Sequence, residues 1–203
     1  MYMLLRKLVE IFFRIKYKMN ILNRENIPDL KGGFIVACNH QTYADPPMIA
    51  AVLKGKFSFM AKSELFEKKA FAWLIRKCGA FPVVRGAKDN SAIEHAISDL
   101  KDGRIFVIFP EGTRSKDGTL GRAKSGVAVI AGLADAPVLP MCIMYGLGGK
   151  KRKADIAIGK LISAEEIAID PNNMEDRRQI KKVSNLIMDN IAELQQQIYK
   201  QYE

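Results

Sequence analysis

The run Gly32-Gly33-Phe34-Ile35-Val36-Ala37-Cys38-Asn39-His40-Gln41-Thr42-Tyr43-Ala44-Asp45-Pro46-Pro47 decides how the rest of the chain is read. Phe34 to Cys38 is an unbroken apolar stretch behind a glycine pair, the pattern of a buried strand. It stops at Asn39-His40. Asp45 stands directly before two prolines, which marks a helix start with Asp as N-cap and Pro at the first helical position. His40 therefore sits where a buried strand ends, and Asp45 where the next helix begins. A connection that short can fold the carboxylate back onto the imidazole. A carboxylate on one ring nitrogen fixes the tautomer and leaves the other nitrogen to accept a proton. Taken alone, the two residues are more plainly a satisfied structural histidine and a helix cap. The rest of the chain changes that balance.

Working outward, short apolar runs recur at 34–38, 57–61, 80–84, 104–109, 137–144 and 154–158. Between them helical patterns cover 46–53, 66–77, 91–101 and 124–131. The third opens on Ser91-Ala92-Ile93-Glu94, a capping box, and stops at Gly103. A C-terminal helix over 174–202 carries Ile180, Val183, Ile187, Ile191, Leu194 and Ile198 at spacings of three and four, a core-packing stripe. Such alternation predicts an α/β fold with a largely parallel sheet flanked by helices. No composition shift divides residues 1–203, so a single domain is expected, with the motif-bearing core over 20–160.

Residues 1–19 differ in character. Leu4, Leu8, Ile11 and Ile15 fall on one helical line, with Leu5, Phe12 and Met19 beside it. Arg6, Lys7, Arg14, Lys16 and Lys18 lie between them against the single acid Glu10. A basic amphipathic helix of this kind suits the headgroup boundary of an anionic membrane, and it can pack on the core as well. The net charge of +10 over 203 residues favours nucleic acid, an anionic membrane surface or an acidic partner. Nucleic acid is disfavoured, because the N-terminal cations alternate with large apolar residues and no recognition module is present. Cys38, Cys78 and Cys142 lie in or beside apolar runs without metal-ligand spacing, which fits a reducing cytoplasmic compartment and no metal site. No run reaches the length of a transmembrane helix.

In an open α/β sheet, ligands bind beyond the carboxyl ends of the strands. At that edge His40 follows the first of the six runs, Lys62 the second, Arg85 the third, and Pro110-Glu111-Gly112-Thr113-Arg114 the fourth. A candidate base and three cations on one rim form an anion site, to which Gly112 and Thr113 add backbone N–H groups and a hydroxyl. Walker, nucleophile-elbow and zinc-helix spacings are absent. A Cys38 nucleophile paired with His40 is poorly placed, since residues two apart on a strand rarely bring their heads together. The chemistry implied is base-driven transfer to or from something phosphorylated, by direct attack of a substrate hydroxyl and without a covalent enzyme intermediate.

His40-Gln41-Thr42-Tyr43-Ala44-Asp45 resembles the His-x-x-x-x-Asp motif of the glycerolipid acyltransferases. Ala61-Lys62-Ser63-Glu64-Leu65, Gly79-Ala80-Phe81-Pro82-Val83-Val84-Arg85-Gly86, Phe109-Pro110-Glu111-Gly112-Thr113-Arg114-Ser115 and Ala136-Pro137-Val138-Leu139-Pro140 resemble that family's further blocks, in the family's order. The likeness is greatest to the bacterial 1-acylglycerol-3-phosphate acyltransferases. It implies phosphatidate formation in phospholipid synthesis on the cytoplasmic face of the membrane, by an enzyme with no cofactor. His40 would be the base on the free sn-2 hydroxyl and Asp45 its orienting group. Lys62 and Arg114, with Arg85 nearby, would hold the acceptor phosphate, and Glu111, Gly112 and Thr113 would shape the acceptor site. The donor would be a fatty acyl thioester of coenzyme A or of acyl carrier protein. Glycerol 3-phosphate or another lysophospholipid is the alternative acceptor, and a non-catalytic lipid-binding protein the alternative of a different class.

Overall fold

The computed structural model describes residues 2–30, 32–84, 90–169 and 176–203, with side chains of the first helix from Lys7 onward. Helix α1 (Tyr2–Lys16) and strands β1 (Lys18–Leu22) and β2 (Phe34–Cys38) come first. Then α2 (Asp45–Val52), β3 (Phe57–Lys62), α3 (Lys69–Lys77), β4 (Ala80–Val83) and α4 (Ser91–Lys101) alternate. They are followed by β5 (Ile105–Ile108), α5 (Gly126–Ala134), β6 (Val138–Tyr145), β7 (Lys153–Ile158), the short α6 (Ala164–Ile167) and α7 (Arg177–Tyr199). The strands form one sheet in the order β1-β7-β6-β2-β5-β3-β4. Every neighbouring pair is parallel except β6 with β7.

Period-two alternation splits the apolar side chains of the central strands between two cores. Ile35, Ala37, Phe106, Val138 and Cys142 face α4, α5 and α7. Phe34, Val36, Cys38, Val107, Leu139 and Met141 face the side of α2, and Phe13 and Tyr17 at the end of α1 pack there too. A strand covered on both faces has no polar side to show, which is why β2 reads as five consecutive apolar residues, all buried. The glycine before it has a steric reason. A Cβ on Gly33 would lie 2.2 Å from the carbonyl oxygen of Leu100, so the last turn of α4 can approach β2 only over a glycine.

Local boundaries depart from the sequence pattern in four places. The first helix ends at Lys16 instead of continuing to residue 19, because Lys18–Leu22 pairs in parallel with Lys153–Ala157 as an edge strand. Asp45 is the first residue of α2, with Ala44 at the N-cap position. Its carboxylate is turned back onto the preceding loop and caps nothing. Asn90 occupies the N-cap position of α4, which leaves Ser91 one residue inside the helix. A capping box forms at Ser163 and Glu166, opening α6. The C-terminal helix starts at Arg177 behind Asp176, whose side chain accepts from the backbone of Arg178 and Gln179. The start expected at 174 lies outside the described residues.

Candidate active site

Strands β2, β3, β5 and β6 run in one direction, so their last residues share an edge. His40 lies two residues beyond β2. Its Nδ1 is 2.7 Å from Oδ2 of Asp45. The same oxygen accepts the backbone N–H groups of Gln41 at 2.7 Å and Thr42 at 2.9 Å. Oδ1 accepts the hydroxyls of Thr42 at 3.2 Å and Tyr145 at 2.8 Å. Asp45 is only 1% exposed. A buried carboxylate is tolerated because donors surround it, and here two of them are fixed backbone groups of its own loop.

The imidazole is held from other sides as well. Its ring stacks on Phe109, with centroids 4.0 Å apart and planes 16° apart. The N–H of His40 donates to Glu111 Oε1 at 2.9 Å, and its carbonyl accepts from Ser115 N–H at 2.8 Å. Glu111 is buried, and its other oxygen accepts from Gly121 N–H at 2.8 Å. Glu111 thus braces the loop beyond β5 against the histidine backbone and is not part of the cavity wall. Asn39 joins β2 to β6: its amide donates to the carbonyl of Ile143 at 2.9 Å and accepts from the N–H of Ile143 at 2.8 Å. The side chain copies a peptide group and continues the ladder where the backbone turns away.

Beside His40 opens a cavity of about 860 Å³. Lys62, Gly112, Thr113 and Arg114 line it with His40, so these sequence candidates converge. Lys116 and Lys124 line it too, cations that the strand-end rule missed because they lie far along the loop between β5 and α5. Met60, Leu65, Val83, Val107, Ile108 and Val127 give the rest of the wall an apolar character. Lys62 is paired with Glu64 at 2.5 Å, and the ammonium holds the Glu64 carboxyl below its ordinary pKa. Arg114 lies over the ring of Tyr43, its guanidinium carbon 3.9 Å from the centroid. Arg85 lies outside the described residues. The N–H of Gly112 is not free as the sequence suggested. It closes a turn onto the carbonyl of Phe109 at 2.9 Å, in a left-handed conformation (φ 68°) that glycine adopts without strain.

Tyr145, the last residue of β6, is a further member of the site that sequence reasoning passed over. Burial first, and the Asp45 charge next, push its phenol well above the ordinary value, so it stays protonated and serves as a donor. The same strand-end rule that found Lys62 would have found it had aromatic hydroxyls been counted. Cys38 is fully buried on the opposite side of β2 from Ala37, and burial raises its thiol well above the usual range. It is a core residue and supplies no thiolate.

A model of the family named Acyltransferase matches residues 18–144, which hold His40, Asp45 and all the described cavity-lining residues. The chain belongs to the acyltransferase family. The acyltransferase is 33% identical over 172 residues to the 1-acyl-sn-glycerol-3-phosphate acyltransferase of Streptococcus pneumoniae, covering 84% of this chain and 60% of that one. It is 28% identical over 203 residues to the Bacillus subtilis enzyme of the same name, covering 98% of both chains. Its fold matches the crystal structure of the 1-acyl-sn-glycerophosphate acyltransferase of Thermotoga maritima with a TM-score of 0.70 at 28% identity. That match covers 96% of this chain and 79% of the other.

Proposed function

We propose that this acyltransferase moves a fatty acyl group from a thioester of coenzyme A or acyl carrier protein to the sn-2 hydroxyl of 1-acylglycerol 3-phosphate. The product is phosphatidate. The observation that carries the reading is the His40–Asp45 pair opening on a cavity with cationic and apolar walls, in a chain similar to enzymes of that name. With Nδ1–H donated to Asp45, Nε2 holds the lone pair. It takes the hydroxyl proton as the oxygen attacks the thioester carbonyl. The C–S bond then breaks, and the thiolate leaves and recovers a proton from the imidazolium. A thiol of pKa about 8.5 needs no strong acid to depart. Asp45 remains in place throughout, stabilising the positive ring. Lys62 and Arg114, with Lys116 and Lys124 as further cations of this rim, meet the acceptor phosphate, while Gly112 and Thr113 shape the loop beside it; Arg85 keeps the phosphate-binding role that the family resemblance implies for it.

The acceptor is a membrane lipid, and α1 supplies the contact with the bilayer. Among the described residues no helix is long and apolar enough to cross a membrane. Phe13 and Tyr17 dock the helix on the core, whereas Leu8, Ile11, Phe12 and Ile15 are all more than half exposed. Both roles the sequence allowed are thus divided between two sides of one helix. This placement supports peripheral attachment to a membrane; the cytoplasmic face and a single domain over 1–203 belong to the same proposal.

The test is acyl transfer by the purified protein with a panel of lysolipids and glycerol 3-phosphate, using both thioester donors. The expected result is turnover with 1-acylglycerol 3-phosphate, abolished in His40→Ala and largely retained in Cys38→Ser. Turnover with a different acceptor alone would reassign the substrate. A near wild-type rate in a folded His40→Ala would remove the mechanism.

A further inference from the structure

Helix α3 carries an apolar surface that no part of the described chain covers. Trp73 is 55% exposed, Phe71 44% and Leu74 36%, and Val84 just beyond β4 is 67% exposed. At 3.6 residues per turn, Trp73, Ala70, Leu74 and Phe71 adjoin one another around the solvent side, with only Ala72 of the helix buried beneath. Lys69, Arg76 and Lys77 are the charged residues of the helix, and it contains no acid. Large aromatic side chains on such a surface are rare without a partner.

The topology fixes which face of the molecule this surface belongs to. Both β2–α2–β3 and β3–α3–β4 step in the same direction across the sheet, and parallel crossovers are right-handed. So α3 lies on the same face as α2, against which α1 also packs. The exposed apolar residues of α1 and α3 therefore sit on helices that share the α2 face of the sheet. The turn Ser63–Phe66 packs on α3, and its Leu65 lines the cavity, as does Val83 beside Val84. Through this turn α3 is joined to the wall of the site.

We propose that α3 is a second lipid-binding surface, which sets Trp73, Phe71 and Leu74 into the headgroup boundary of an anionic bilayer while Lys69 and Lys77 meet its phosphates. The inference rests on the reading that the acceptor is drawn from a membrane. It goes beyond that reading in giving the enzyme two attachment points and a defined orientation, with the cavity rim toward the lipid. Aromatic rings with an apolar body and a polar edge are suited to this boundary, and surrounding cations complement anionic headgroups.

Trp73 is the only tryptophan of the chain, so intrinsic tryptophan fluorescence reports on α3 alone. The full-length protein is titrated with vesicles of phosphatidylcholine, with and without phosphatidylglycerol, and with brominated lipids. A blue shift and quenching by bromine, stronger with phosphatidylglycerol, is the expected result. Phe71→Ser combined with Leu74→Ser, which keeps the reporter, should weaken vesicle binding about tenfold or more. Co-sedimentation with vesicles while the emission stays unmoved would overturn the proposal and leave α1 as the sole contact. A blue shift that grows with protein concentration in the absence of lipid would instead make the surface a contact between copies. A shift on adding acyl carrier protein and none with vesicles would assign it to the donor. None of these readouts depends on which acceptor the enzyme turns over.

Discussion

Replacing Asp45 by Asn isolates what its charge does, because the surrounding donors fit an amide as well as a carboxylate. Oδ2 accepts from His40 Nδ1 and from two backbone N–H groups that cannot reorient. The amide oxygen of the substituted side chain would therefore stay on that side. Its NH₂ would take the place of Oδ1, facing the hydroxyls of Thr42 and Tyr145, both of which can rotate to accept. Geometry and tautomer persist, and only the negative charge is lost. At the 2.7 Å separation of the pair, a carboxylate and an imidazolium attract by about 6 kcal/mol at an effective dielectric constant of about 20. Part of this survives as an ordinary hydrogen bond, so the transition state loses about 3–5 kcal/mol, or about 10²–10⁴ in kcat. Release of free thiol at saturating acceptor measures the rate, and thermal unfolding checks the fold. A variant within about threefold of wild type would refute the argument. So would a collapsed melting temperature, since the hydrogen bonding would then not have been preserved.

Tyr145→Phe removes one donor to a charged acceptor, and kcat should fall about tenfold with KM for the acceptor unchanged. Lys62→Ala and Arg114→Ala should each raise the acceptor KM more than the donor KM in two-substrate kinetics, whereas Glu64→Gln, which frees Lys62, should lower it. Replacing Leu8, Ile11 and Phe12 by Ser should weaken vesicle binding even at low salt, while charge reversal at Arg14 and Lys16 should reduce only the preference for anionic vesicles, as co-sedimentation would register. Turnover of a short-chain, water-soluble acceptor should survive both sets of changes.

The parts of this fold that sequence makes legible are those buried on both sides. Strands β2, β5 and β6 sit between two layers of helices, so each is a continuous apolar run whose type and place can be read directly. Edge strand β1 has no such signature. Lys18, Met19, Asn20, Ile21 and Leu22 are at most half-buried, and Met19 falls as easily on the helical line of the residues before it. Only pairing with β7, more than 130 residues later in the chain, makes it a strand. The site divides in the same way. His40 and Asp45 are five residues apart on one connection, and local spacing finds both. Asn39 and Tyr145 act across the sheet, and no window of sequence holds Asn39 together with Ile143, or Asp45 together with Tyr145.

That distant pairing has a mechanical consequence. Tyr145 donates to Asp45 with its hydroxyl, and its ring packs on Tyr17, with centroids 5.5 Å apart. Tyr17, the residue just after α1, in turn stacks on Phe13, and these two residues dock the end of the helix on the core. The helix proposed to meet lipid therefore rests, through two aromatic contacts, on the residue that helps to seat the carboxylate behind His40. A helix attached only by a flexible tether could bind the same membrane. This one is packed against the residue behind the catalytic pair, so under the proposed attachment the fold itself would set the distance between the bilayer surface and the cavity. An acceptor lifted out of the headgroup layer then meets a base already oriented, which is the condition under which positioning contributes most to the rate.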